Sequence, residues 1–261
     1  MTKTYSSGEA IVRRLAAEGY RVTVNDIPAN KPAVDNLVAE LNSTHGRGTS
    51  AGIIADVTSP SEVKSMVEES FRRLGPLTVM VANAGIAPVG PALEVSNDFV
   101  SNILNVNVMG VWNCYTHAAR QMISQGPVPD GSTGYKLLAA SSIAAYRPAA
   151  LLAPYCASKS AVRSLTQVFA IEMAAHKINV NCYAPGVVGT DMWDEIDRGV
   201  ARVKGGPVGA ASQRFVDEYT AMGRLSVPED VAKVVGGFLC GPDSEFVTGQ
   251  NIVVDGGIVF S

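Results

Sequence analysis

The sequence predicts an α/β fold: a doubly wound parallel sheet with helices on both faces, in a single domain spanning residues 1–261. Two observations carry this. Short apolar runs alternate with helix-length amphipathic segments along almost the whole chain, which is the strand–helix–strand rhythm of a parallel sheet. Asp26, Asp56, Asn83 and Ser142 also each stand at the carboxyl end of one of those runs, where such sheets bind their ligands.

Taken in order, a helical pattern over 9–19 leads into a first apolar run at 20–24. Helix 33–42 follows, then a strand at 50–55, helix 60–74 and a strand at 77–82. A long helical pattern covers 98–124, and 125–135, rich in Gly, Pro and Ser, reads as a surface loop. Strand 136–140, helix 154–176, strand 178–182, helix 228–240 and strand 251–254 complete the alternation. The stretch 190–222, with Trp193 and a Gly205-Gly206-Pro207 break, reads as a helical insertion that would overhang the site as a substrate lid. No internal repeat or linker interrupts the pattern.

With 261 residues, 47% hydrophobic and 17% charged, the chain suits one domain with a sizeable core. A net charge of −3 gives no reason to expect nucleic acid or an anionic membrane as a partner. Cys114, Cys156, Cys182 and Cys240 are scattered without a CxxC pair or a nearby histidine cluster, so they read as reduced thiols and no metal is expected. No run of about 20 apolar residues and no signal-like start is evident, and a cytoplasmic protein is the expectation.

The chemistry concentrates in Tyr155-Cys156-Ala157-Ser158-Lys159. Tyrosine and lysine four apart share one helix face. A phenol with a pKa near 10 needs about 4 kcal/mol of preferential phenolate stabilisation to act near neutrality, and an adjacent ammonium is a sensible source of part of it. Thirteen residues before Tyr155, Ser142 ends an apolar run and would hold a carbonyl or alcohol oxygen while Tyr155 moves the proton.

From about residue 6 onward the chain resembles the short-chain dehydrogenase/reductase family. The matching residues are Asp26, Asp56-Val57, Asn83-Ala84-Gly85, Asn107, Ser142, Tyr155, Lys159, Pro185-Gly186 and Thr190, in order. Gly223-Arg224-Leu225, Pro228-Glu229-Asp230-Val231, Thr248-Gly249-Gln250 and Asp255-Gly256-Gly257 complete the pattern. The resemblance implies a Rossmann-like sheet with Tyr155 as general acid/base and Lys159 lowering its pKa and binding the nicotinamide ribose. It implies that Ser142 orients the reacting oxygen and that Asn107 holds a relay water. Gly8, Asp26, Asp56, Val57, Asn83, Gly85, Tyr155, Lys159, Pro185, Gly186, Val188 and Thr190 would line the dinucleotide. Asp26, 18 residues after Gly8, would bond the adenosine ribose 2′-hydroxyl and repel a 2′-phosphate, which favours NAD(H). Simpler roles stand beside these: a turn-forming aspartate before Pro28 for Asp26, and a satisfied helical amide for Asn107.

The chain departs from the family at its start. In register with the family's TGxxxGxG turn, Met1, Thr2, Ser6 and Gly8 take the threonine and glycine positions, so one glycine of three remains. The first strand is expected to be missing or rebuilt. Within the family the resemblance is to reductases of acetoin and dehydrogenases of 2,3-butanediol, through Pro185-Gly-Val-Val-Gly-Thr190 and Met192-Trp193-Asp194-Glu195-Ile196-Asp197. Ser142, Ile143, Ala149, Tyr155 and Trp193 are the expected substrate contacts, and without an obvious cationic clamp the substrate is expected to be a small neutral ketone or alcohol. Trp193 reads equally as an ordinary interface aromatic. Two further readings stay open: cofactor-independent acid/base chemistry, and a non-catalytic partner subunit. A homodimer or homotetramer is the expected assembly.

Overall fold

The computed structural model describes residues 6–128 and 134–260. Strands β1 (Val22–Asp26), β2 (Ser50–Ile54), β3 (Val79–Ala82), β4 (Tyr135–Ala140), β5 (Ile178–Pro185) and β6 (Asn251–Val254) alternate with helices. These are α1 (Ser7–Ala17), α2 (Lys31–His45), α3 (Pro60–Leu74), α4 (Asn97–Leu104), α5 (Gly110–Ser124), α6 (Ala153–Met173), α7 (Asp191–Lys204), α8 (Ala210–Glu218) and α9 (Pro228–Val234). Local chemistry sets several boundaries. The Ser6, Ser59 and Ser96 hydroxyls accept from Glu9, Glu62 and Phe99 amides at the starts of α1, α3 and α4. Pro60 opens α3, and Gly75 at φ 87° closes it.

Every strand pair is parallel, yet the strands form two sheets, β1-β2 and β3-β4-β5-β6. No described residue forms a strand between β1 and β3, in agreement with the expected loss of the first strand. Val22 N–H bonds Thr49 on the β2 side, and Lys136 N–H bonds Thr78 on the β4 side. Main-chain groups alternate sides along a strand. Thr23 and Asn25 of β1, and Val79 and Val81 of β3, therefore present their N–H and C=O groups to the gap. A cavity of about 1250 Å³ occupies it, walled by Leu15, Tyr20, Val24 and Val81 and continuous with the space at Asp26, Asp56, Asn83 and Gly85.

The two sheets are held together through helices. One apolar cluster joins Ile11 and Leu15 of α1 with Val22 and Val24 of β1, and with Leu138, Tyr183, Val231 and Leu239 from the other half. The Tyr20 hydroxyl donates to the Cys240 carbonyl at 2.7 Å, also across the divide. A second cluster under α3, α5 and α6 contains Val63, Met66, Tyr115, Met122, Leu137, Val162 and Val180. All four cysteines are buried and outside any disulfide, and burial pushes the Cys114 and Cys240 thiols up to about 12 and Cys182 to about 11. Among the described residues there is no cluster of potential metal ligands, and no helix is long and apolar enough to cross a membrane.

Several expectations shift: the strand expected over 178–182 runs on to Pro185, and the one expected over 77–82 begins at Val79. The first strand-like run begins at Val22 because Gly19, at φ 87°, and Tyr20 are spent ending α1, where Tyr20 N–H bonds Leu15. Asp26 is therefore the last residue of its strand. The long helix expected over 98–124 is interrupted by a π-turn at Asn105–Met109, and the last helix loosens likewise at Val235–Leu239. Of the loop expected at 125–135, residues 129–133 lie outside the described residues, and Tyr135 already belongs to β4.

Candidate active site

The candidate residues collect at the carboxyl ends of β3, β4 and β5, where α6 crosses them. Ser142 follows β4 and caps a short 3₁₀ turn, Ile143–Ala145, its Oγ accepting from the Ala144 amide at 3.1 Å. The same hydroxyl faces the Tyr155 side chain across the site and acts to lower its phenol. Lys159, one helical turn along α6, is only 3% exposed and donates through Nζ to the Ala140 carbonyl at 2.9 Å.

Asn107 sits in the π-turn, fully buried. Its Oδ1 accepts from Ile86 N–H at 2.8 Å, while Nδ2 donates to the Ile86 carbonyl and to Ser158 Oγ at 2.9 and 3.0 Å. The extra residue of a π-turn re-aims the side chain out of the helical ladder, a geometry frequent at functional sites. A side chain at Gly85 would stand 3.2 Å from Lys159 Nζ and 3.3 Å from Asn107 Oδ1. Glycine there keeps a backbone-lined recess open between them.

The charge balance differs from the expectation that Lys159 lowers the Tyr155 phenol. Burial of the hydroxyl end pushes the phenol up, and the Ser142 hydrogen bond offsets only part of that. Lys159 Nζ lies 5.6 Å from the Tyr155 ring centroid, and its own burial brings it down to about 8. Because the folded pKa is depressed, the folded state binds fewer protons than the unfolded one between about pH 8 and 10.5. The destabilisation from Lys159 is thus full below pH 8 and fades as pH rises. Lys159→Met is expected to be most stable relative to the parent near pH 7, with that difference shrinking towards pH 10; urea unfolding of both proteins at three pH values checks the trend.

At the other end of the cavity stand Asp26 and Asp56. Asp26 Oδ1 accepts from Ile27 N–H and Asn30 Nδ2 at 2.8 and 3.1 Å, so the turn-forming role is real and coexists with its place on the cavity wall. Asp56 Oδ1 accepts from Thr58 N–H, and Val57 lines the cavity beside it. Gly8 packs so closely on Asn83 that a Cβ would stand 2.7 Å from its Nδ2. Beyond β5, a Cβ on Gly186 would meet the Asp255 main chain at 2.9 Å, Val188 bridges to Ser226, and Thr190 caps α7. Pro185 ends β5 itself.

Trp193, half-buried, joins two small apolar clusters. One contains Tyr155, Ala149, Leu152, Cys156 and Ile196; the other contains Ile143, Val187 and Ile258. Of the expected substrate contacts, Ala149 and Tyr155 thus border the first cluster and Ile143 belongs to the second, with Trp193 packed against both. Three supports escaped the sequence reading: Ser158 behind Asn107, Tyr183, whose hydroxyl donates to Asn83 Oδ1 at 2.7 Å, and Asp255, which accepts from Gly257 and Val259 amides. Ser158 had a signal in its place inside the Tyr155–Lys159 pentad, and Asp255 in the Asp255-Gly256-Gly257 match, though neither pointed to this role; Tyr183 had none.

The family profile described as enoyl-(acyl carrier protein) reductase matches residues 2–259. The chain belongs to the short-chain dehydrogenase/reductase family. It is 36% identical over 254 residues to an L-2,3-butanediol dehydrogenase of Corynebacterium glutamicum, covering 97% of this chain and 95% of that relative. It is also 36% identical over 254 residues to an (S)-acetoin-forming diacetyl reductase of Staphylococcus epidermidis, at 97% and 94% coverage. Among solved structures, a blue fluorescent protein from a metagenomic library in complex with NADPH superposes with a TM-score of 0.82 at 32% identity, covering 98% of this chain and 94% of that one. A short-chain type dehydrogenase/reductase from Mycobacterium marinum superposes with a TM-score of 0.83 at 27% identity, covering 98% of this chain and 92% of that one, in agreement with a Rossmann-like α/β fold.

Proposed function

We propose that this chain is a nicotinamide-dependent reductase/dehydrogenase of small neutral ketones and secondary alcohols, with NADH as its cofactor. The observation that carries the reading is one continuous cavity running from Asp26 and Asp56, past Asn83, to the Gly85 recess beside Lys159 and Asn107. The recess fits a planar ring approaching main chain, because a single Cβ would fill it. Asp26, Asp56 and Val57 would hold the adenosine end; Gly8, Asn83 and Gly85 the middle; Lys159, Pro185, Gly186, Val188 and Thr190 the nicotinamide end.

A bound nicotinamide supplies or takes up the hydride. Tyr155 gives its hydroxyl proton to the substrate oxygen in reduction and recovers it in oxidation. Ser142 holds that oxygen by a hydrogen bond, so no metal is required to polarise the carbonyl. Lys159 holds a positive charge near the phenol, and Asn107 keeps the Ile86 main chain in place behind it. Ile143, Ala149 and Trp193 give the pocket an apolar, uncharged wall. Arg147 is not a substrate clamp in this reading, since it stacks on the Tyr219 ring at 4.0 Å. The butanediol and diacetyl activities of the relatives support vicinal diketones, ketols and diols as the substrate class.

Residues 190–222 form the lid of this reading. Helices α5 and α6 leave Trp112, Val168 and Ile171 exposed, Ile171 at 78%, which supports pairing with a second copy as a homodimer or homotetramer. Four cysteines outside any disulfide suit a reducing, cytoplasmic setting.

The test is a fluorescence titration with NADH and NADPH, followed by diacetyl, acetoin and the butanediol isomers as substrates. Saturable NADH binding with NADPH much weaker is expected. A folded sample that binds neither nucleotide overturns the reading and favours cofactor-independent acid/base chemistry, or a non-catalytic partner subunit, on the same scaffold.

A further inference from the structure

Asp197 lies on α7, 3% exposed, and no base neighbours it among the bonds it makes. Its Oδ1 accepts from Ala211 N–H at 3.1 Å and its Oδ2 from Ser212 N–H at 3.3 Å, both in the first turn of α8. A carboxylate is well placed there, since helix amides at that end lack internal partners and carry partial positive charge. The Ser212 hydroxyl also donates to Oδ2.

That hydroxyl has one proton to give and lone pairs to receive. Having donated to Asp197, it accepts from the Trp193 indole Nε1–H. Indole nitrogen is a donor only and carboxylate an acceptor only, so the chain Trp193–Ser212–Asp197 can run in a single direction. Phe215, one turn further along α8, holds the same indole edge-to-face, with centroids 5.5 Å apart and planes at 89°. Helix α8 thus grips one aromatic ring by its N–H and by its edge. The ring is also packed against the buried cluster of Leu152, Cys156 and Ile196, which Tyr155 borders too, and against that of Ile143 and Val187.

We infer that Asp197 and Ser212 are positioning residues that fix the Trp193 indole as the wall limiting substrate length, so that short vicinal diketones are accepted over longer ones. This rests on the reading under Proposed function. Neither residue touches substrate; both act through Trp193. The fixed ring admits a methyl-ended diketone, while a propyl end meets the indole. A freed ring can swing aside and admit it.

Steady-state kinetics with diacetyl and 2,3-hexanedione test this in the parent, Ser212→Ala, Asp197→Ala, the double variant and Ser212→Thr. Loss of the Ser212 hydroxyl is expected to cut the kcat/KM preference for diacetyl by about tenfold. The change falls on the KM for hexanedione, with kcat on diacetyl nearly unchanged. The double variant is expected to lose no more than either single one, because the two act in series. Ser212→Thr, which keeps the hydroxyl, is expected to restore the preference.

A second readout does not depend on turnover. The chain has two tryptophans, so in a Trp112→Phe background all indole emission comes from Trp193. Ser212→Ala is expected to red-shift that emission and expose it to iodide while the melting temperature holds. Unchanged preference with unchanged emission overturns the inference, as does an equal loss on both diketones. If the parent reduces neither diketone, the dehydrogenase reading fails on its own, and the emission alone then decides whether Ser212 and Asp197 hold the ring.

Discussion

Tyr155→Phe is expected to lower turnover by about 10²- to 10⁴-fold, the range over which a positioned acid/base group contributes. The substitution removes one oxygen and keeps the ring that packs with Ala149, Leu152 and Trp193, so the fold and the nucleotide site are expected to survive. NADH affinity should change little, while kcat and kcat/KM fall together. Ser142 cannot take over: its oxygen accepts from the Ala144 amide and its role is to hold the substrate oxygen. Lys159 Nζ is committed to the Ala140 carbonyl. Stopped-flow reduction of diacetyl, paired with NADH titration of the same sample, checks both halves. Retention of more than about a tenth of parental turnover, well above that range, would remove Tyr155 from the acid/base role.

Amide hydrogen exchange is expected to divide the strands into two groups. Thr23 and Asn25 in β1, and Val79 and Val81 in β3, face the gap between the sheets with no strand partner there among the described residues. Leu137, Leu138 and Cys182 in β4 and β5 are fully buried and paired on both sides. Local opening spans from near zero to the global unfolding free energy, so a difference of about three orders of magnitude in exchange rate, or ~4 kcal/mol, is the expected separation. Mass spectrometry of peptic fragments resolves the two groups. Equal protection across both sheets would mean that the gap is filled in solution.

Most of the sheet was legible because its strands read as apolar runs between helical patterns; β6 and α3 have the expected bounds. The edges that slipped did so where a residue carries two signals. Tyr20 looks like the start of a strand yet spends its amide on α1 and its hydroxyl on Cys240. The π-turn at Asn107 left no trace in the periodicity, because one extra residue in 27 does not disturb a helical pattern. The proposed trio of Ser142, Tyr155 and Lys159 was legible as chemistry, since Tyr155 and Lys159 share a face by spacing alone. Its electrostatics were not: Lys159 answers to Ala140, a carbonyl 19 residues away, and burial of the phenol depends on tertiary packing. Asp197 was legible only as the end of the Met192–Asp197 match; its tie to Ser212 was not, for its partners come from a different helix.

The buried cysteines have a practical consequence. Cys114 and Cys182 lie in the cluster beneath α5 and α6, Cys240 in the cluster that spans the divided sheet, and Cys156 beside Tyr155. Their thiols are shielded, and three of them are pushed far towards the unreactive protonated form. Each compartment of the interior therefore carries a native chemical label that becomes alkylatable only when that compartment opens. A timed pulse of iodoacetamide would record which part of the molecule breathes first, with no residue altered to obtain the answer.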